Sequence, residues 1–222
     1  MQSNPYPVSV MSKTKKAEFK FERIKKCGIE IEGGWDERPQ QNLISDGSVV
    51  VSCGYSDGEC VSAPLDSWEK AEDFFDKNYP QKTNHTCGIH LHASFSNDHD
   101  YATLVDKRFY DFFCDRMAVW GKRWNCKNKQ FWNRLEGKNN FCRKRFNPEN
   151  QLTQTQKYHD ARYSHFNFCH AIHGTFEVRL LPTFKEKRIA LAAAKEVFAI
   201  IEEWLDNSPE EVGFGGVDTV TE

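Results

Sequence analysis

The sequence predicts an α+β domain in which a mostly antiparallel sheet carries its helices on one face. Three observations lead there. Period-two alternation marks strands at Gly28–Glu32, Gly88–His92 and Phe176–Leu180. Apolar repeats near 3.6 residues mark helices between and after them. Seventeen Phe, 7 Tyr and 6 Trp in 222 residues supply the burial area that a single core needs.

The elements follow in chain order. Residues 1–24 are Pro-rich and then Lys-rich and read as a flexible basic segment before one domain over 25–206. Gly28-Ile-Glu-Ile-Glu32 alternates apolar and acidic residues, so Ile29 and Ile31 share one sheet face and Glu30 and Glu32 the other. Further strands are expected at Ser48–Cys53 and Glu59–Ser62. Asp66 with Glu69 reads as a capping box opening a helix through Trp68, Ala71 and Phe75. Ile89 and Leu91 alternate with His90 and His92 in the next strand. One helix is expected from about Asp100 to Trp120 along Tyr101, Leu104, Val105, Phe109, Phe112 and Phe113. A short basic helix is expected over Lys129–Lys138. Phe176, Val178 and Leu180 then face the core opposite Glu177 and Arg179. A helix follows over Lys185–Leu205, with Ala190–Ala194 strongly helix-forming. Residues 207–222 read as a loose tail.

Composition excludes several classes. The net charge of −2 is not that of a polycation for nucleic acid. No apolar run approaches the 18 or so residues of a membrane span, and the N-terminus lacks the apolar stretch of a secretory signal. The eight cysteines include no CxxC pair, the close spacing that zinc ribbons need, and they read as reduced thiols of a cytoplasmic protein.

The chemistry lies on the polar sheet face. An ordinary solvated face mixes Thr, Lys, Gln and Ser with charges. Here three strands each present two ionisable groups at i and i+2: Glu30/Glu32, His90/His92 and Glu177/Arg179. Taken singly, each pair also fits a solvated or ion-paired strand; their joint occurrence marks a site. Glu30, Glu32, Glu59 and Glu177 are hard oxygen donors, and with one or two imidazoles they suit Mg²⁺ or Mn²⁺ better than zinc. A divalent ion beside an always-charged Arg179 is a phosphate-handling arrangement. Neither GxxxxGK[ST] nor GxGxxG is present, so a nucleotide here would occupy neither a P-loop nor a Rossmann cleft.

Five short motifs occur in order: Gly28-Ile-Glu-Ile-Glu32, Asp46-Gly-Ser48, Glu59-Cys-Val-Ser-Ala-Pro64, Cys87-Gly-Ile-His-Leu-His92 and Thr175-Phe-Glu-Val-Arg179, with Arg162-Tyr163 and Asn167 before the last. As a set, over about residues 27–205, they resemble the amidoligase family, carboxylate–amine ligases of the glutamine synthetase and glutamate–cysteine ligase superfamily. The resemblance implies a glutamine-synthetase-like catalytic fold on a cupped sheet. It implies an ATP-dependent ligase that activates a carboxylate as an acyl phosphate for attack by an amine. It further implies that Glu30, Glu32 and Glu59 bind divalent metal, and that His90 and Glu177 hold the ion nearest the γ-phosphate. Arg179 would steady the transferred phosphoryl group, and His92 would lie toward the nucleotide. Asp46, Ser48, Arg162 and Asn167 would position substrate or nucleotide. Glu59 is also the expected residue near the proton transfer from the amine. The acid and amine could be amino acids, peptides or a modified base.

Two rival readings remain at this point. His85, His90 and His92 could surround zinc in a hydrolase. Nine Lys/Arg between Lys122 and Arg145, interleaved with Trp124, Phe131, Trp132 and Phe141, read first as a solvated basic helix face whose aromatics belong to the core. Alternatively they wall a site for ATP phosphates or an acidic acceptor, or bind nucleic acid. That run carries no recognised nucleic-acid-binding signature.

Overall fold

The computed structural model describes residues 19–156 and 158–208. Its centre is one open, fully antiparallel sheet of six strands in the order β2-β3-β1-β4-β6-β5. The strands are β1 (Ile24–Trp35), β2 (Leu43–Ile44), β3 (Ser56–Val61), β4 (Gly88–Phe95), β5 (Phe166–Asn167) and β6 (Phe176–Pro182). The helices are α1 (Trp68–Asn78), α2 (Asp98–Leu104), α3 (Lys107–Arg123), α4 (Lys129–Leu135), α5 (Glu149–Leu152), α6 (His170–His173) and α7 (Lys187–Asn207).

The alternation divides the sheet as its sequence requires. Ile29, Ile31, Ile89, Phe176, Val178 and Leu180 are fully buried, in one core with Phe75 of α1, Phe109, Phe113 and Met117 of α3, and Val197, Phe198 and Ile200 of α7. Burying such side chains contributes roughly 1.5–3 kcal/mol each, so this face holds the domain together. The acidic and imidazole residues are left on the opposite face. That face is more enclosed than an open site floor, because His90, Glu177 and Arg179 are all buried.

Several boundaries differ from the sequence reading, each for a local reason. Packing begins before residue 24: Phe19 meets Trp68, Phe21 meets Phe198, and Glu202 of α7 accepts the N–H groups of Glu22, Arg23 and Ile24 at 2.9–3.1 Å. Residues 1–18, the rest of the segment read as flexible, lie outside the described residues, as do 209–222 of the tail. The capping residue of α1 is Ser67, whose Oγ accepts from Lys70 N, while Asp66 pairs with the Lys70 ammonium. The long helix expected from Asp100 is two helices, because Asp106 is extended and caps a new start through Arg108 N at 2.7 Å. The apolar stripe runs across that break, which is why periodicity alone does not show it. Ser48–Cys53 is not a strand. Its backbone is bonded by side chains instead, with Val51 N–H donating to Asp57 and Val50 C=O accepting from Asn84. No helix of the described residues is long and apolar enough to cross a membrane.

Candidate functional site

Strand register assembles the site. Glu30 lies opposite His90 across β1 and β4, His92 opposite Glu177 across β4 and β6, and Glu32 opposite Glu59 across β1 and β3. Asn167 of β5 lies opposite Glu177. A bulge in β6 sets Arg179 and Leu180 against the single residue His90, because Ile89 pairs with Leu181 and Leu91 with Val178. Bulges commonly re-aim side chains beside functional sites. Here the bulge lies where Arg179 enters the cluster.

The side chains meet closely. Glu30 is held from both sides, by His90 Nδ1 at 3.1 Å and His92 Nε2 at 3.2 Å. Glu177 Oε1 accepts from Arg179 Nη1 at 2.6 Å, and its Oε2 accepts from Asn167 Nδ2 at 2.6 Å. Glu32 Oε2 accepts the Gly88 N–H at 2.5 Å. His92 Nδ1 lies 3.1 Å from Thr175 Oγ1, which is 3.2 Å from Cys169 Sγ. Beneath them, buried Arg134 of α4 donates to the carbonyls of Arg179 at 3.0 Å and Cys87 at 3.3 Å. Gly88 has no side chain because Arg134 and His90 leave no room: a Cβ would come within 3.0 Å of the guanidinium.

The charges are strongly coupled. Burial works against ionisation of Glu30, but His90 and His92 outweigh it and hold the carboxyl well below its usual range. Burial also opposes charge on His92, yet the adjoining Cys169, Glu30 and Glu177 raise its pKa well above the ordinary value. Glu177 is likewise buried, and Arg179, His92 and His90 bring it down to about 2. Glu59 goes the other way. Burial, then Glu30, Glu32 and Asp46, push it up to about 9.

Two sets of donors suit a cation. Glu30, His92 and Glu177 form one, Glu30, Glu59 and His90 the other, and within each set the ligand atoms lie within 4.8 Å of one another. Each set offers two carboxylates and one imidazole, the oxygen-dominated mixture that Mg²⁺ and Mn²⁺ prefer. Two further observations fit a divalent ion. Burial and then the neighbouring carboxylates Glu30 and Glu32 raise the pKa of Glu59, and a cation would offset both. The buried Oδ1 of Asn167, a carbonyl acceptor in the wall beside Glu177, has no hydrogen-bond partner among the described residues.

The structure thus brings together Glu30, Glu32, Glu59, His90, His92, Glu177, Arg179 and Asn167 of the residues singled out by sequence. Asp46 and Ser48 form a turn at the Glu59 end, where Asp46 Oδ1 accepts from the Ser48 N–H and hydroxyl at 2.8 Å each. Arg162 borders a cleft of about 460 Å³ that opens from Glu30, His92 and Glu177 past Thr175, Cys169 and Lys26. His85 is not in the cluster, so the three histidines of the zinc reading do not converge; His85 lines a different cleft. Nor do the basic residues at 122–145 form one wall. Arg134 is buried, Arg123 pairs with Glu196, Lys138 with Glu136, and Arg143 and Arg145 with Asp160. Sequence reasoning missed Arg134, Thr175 and Cys169 as parts of the site. The pairing of β4 with β6 brings in Thr175 just before Phe176, Cys169 follows by its contact with Thr175, and the packing of α4 brings in Arg134.

No protein-family model matches the chain, and no curated protein or solved structure matches it either.

Proposed function

We propose that this protein is an ATP- and Mg²⁺- (or Mn²⁺-) dependent carboxylate–amine ligase. The observation that carries this reading is the pair of cation-competent sets sharing Glu30, with Arg179 beside them on the next strand. The motif resemblance to amidoligases supports it independently of the geometry.

Joining a carboxylate to an amine requires expulsion of oxygen, and water alone makes that uphill. Transfer of the γ-phosphoryl group of ATP to the carboxylate converts the oxygen into a good leaving group. Divalent metal, held by Glu30, Glu32, Glu59, His90, Glu177 and the adjoining His92, would supply neutralisation of phosphate charge. The protein's own groups do the rest. Arg179, fixed by Glu177, presents a rigid guanidinium toward developing negative charge. Glu59 would accept the amine proton in its ionised form, the state that a bound divalent ion would favour over the protonated one. The cleft past Thr175 and Cys169 is the space beside these groups for a bound substrate.

The test is phosphate release from ATP, screened over pairs of carboxylates and amines, with mass detection of the condensed product. A product that needs ATP and Mg²⁺ and disappears in Glu30→Gln supports the reading. Stoichiometric, tightly held zinc with ATP-independent hydrolysis would overturn it.

A further inference from the structure

A second cleft of about 670 Å³ lies away from the carboxylate cluster, between the Thr83–His85 loop, the Trp124–Gln130 connection into α4 and the Pro182–Ile189 passage from β6 into α7. We infer that this cleft is a binding site for a small, multiply phosphorylated ligand.

Its lining separates by chemistry. Pro182 and Phe184 are buried and Ile189 and Trp124 half-buried, which gives an apolar floor and wall. Lys127, Lys129, Lys185 and Arg188 are all exposed around it, and Glu186 is the one acid among the lining residues. None of these four cations has an ion-pair partner among the described residues. Elsewhere in the same basic run Arg123, Lys138, Arg143 and Arg145 are ion-paired, and of its remaining surface cations only Lys122 and Lys144 lack an ion pair among the described residues. Converging cations without counter-charges create a local positive potential, and an anion with several charges gains most from it. Arg188 is also pre-positioned. Its guanidinium lies 5.7 Å from the centre of the Trp124 ring, and that ring stacks on buried Trp120 at 5.9 Å. A guanidinium resting over an indole loses less freedom on forking to a phosphate than one free in solvent.

The shape decides the size of the ligand. Pockets of 300–1,000 Å³ suit small molecules. A nucleic-acid backbone needs a continuous basic track, and burial of Arg134 and the ion pairs of its neighbours interrupt any such track here. The four cations are drawn from two distant stretches of sequence, 127–129 and 185–188, so only the fold reveals them.

The experiment titrates tripolyphosphate into the full chain by calorimetry, at physiological ionic strength and with EDTA present so that the carboxylate cluster holds no divalent ion. Saturable one-site binding is expected, weakened at least tenfold in Lys127→Gln/Arg188→Gln. Arg143→Gln, from the same basic run but paired with Asp160, should bind as the wild type does. These side chains are exposed, and matching melting curves confirm that the variants fold. Absence of saturable binding overturns the inference, as does equal loss in Arg143→Gln. Tighter binding of a short single-stranded RNA, with a salt dependence exceeding four phosphate contacts, would overturn it in favour of nucleic acid.

Discussion

Glu32 and Glu59 lie directly opposite each other on β1 and β3, two carboxylates in register at the edge of the same cluster. Like charges so placed destabilise a sheet. Burial first, and then the charges of Glu30 and Glu32, push the Glu59 carboxyl up to about 9. The sign follows: the unfolded chain releases the carboxyl proton near pH 4.5 and the folded chain does not. Without divalent ions, stability should therefore fall as pH rises from about 4.5 to 9, by up to about 3 kcal/mol at pH 7. Glu59→Gln should raise the melting temperature in EDTA and abolish part of the stabilisation by Mn²⁺. A variant that melts lower in EDTA would show that the carboxylate is not under repulsion.

Glu30→Gln and Glu177→Gln should both abolish ATP turnover, but they should differ in stability. Glu177 is buried and is the hydrogen-bonded counter-charge of buried Arg179, whereas Glu30 is half-buried between two imidazoles. Leaving a buried charge without its partner costs about 3 kcal/mol or more. Urea unfolding of the two variants should separate them by roughly that amount, with Glu177→Gln the weaker fold. Equal stabilities would mean that Arg179 finds another partner.

The sheet faces were legible because alternation has only one consequence on a strand: Ile29, Ile31 and Val178 go to the core, and Glu30, His90 and Glu177 go to the other side. The site's shape was less legible. Its depth depends on the connection after α4, where Arg143 N–H donates to Tyr163 O and Arg179 N–H to His165 O, contacts between residues distant in sequence. Arg134 illustrates the same limit. In the sequence it is one of nine cations in a basic run, and only tertiary packing turns it into a buried strut beneath Gly88.

That strut should be measurable. Arg134→Met keeps most of the side-chain volume but strips charge-assisted donors from the carbonyls of Arg179 and Cys87. A loss of about 3 kcal/mol in urea unfolding is expected. A neutral effect would mean that the carbonyls are satisfied in another way.

His165 gives a separate pH dependence. Buried, it donates Nε2–H to Arg134 C=O at 2.7 Å and lies with Nδ1 3.1 Å from the Tyr110 hydroxyl, so both nitrogens are engaged in the neutral form. Burial, reinforced by Lys144 and Arg134, lowers its pKa to about 4. Below pH 6.5 the unfolded chain takes up a proton that the folded chain refuses, so stability falls as pH falls. About 2 kcal/mol should be lost between pH 7 and pH 5 through this residue. Comparing urea midpoints of wild type and His165→Gln over that range isolates it: identical slopes would exclude the residue.

Arg179→Lys distinguishes catalysis from architecture. Arg179 Nη1 is committed to Glu177 Oε1, the guanidinium lies 5.8 Å from the Tyr163 ring, and Nε has no partner among the described residues. A guanidinium can keep Glu177 with one edge and turn another toward phosphoryl oxygens; an ammonium is a point charge that serves one partner well. If Arg179 acts only as charge develops on the transferring group, both Arg179→Lys and Arg179→Ala should lower kcat about a hundredfold with little change in KM for ATP. If its role is the ion pair alone, Lys preserves the pair and most of the turnover, while Ala leaves Glu177 buried without its cation and destabilises the fold. Steady-state kinetics and melting temperatures measured on both variants separate these outcomes. Near-wild-type kcat in Arg179→Lys would remove Arg179 from the phosphoryl-transfer step and leave it as the counter-charge that keeps Glu177 ionised.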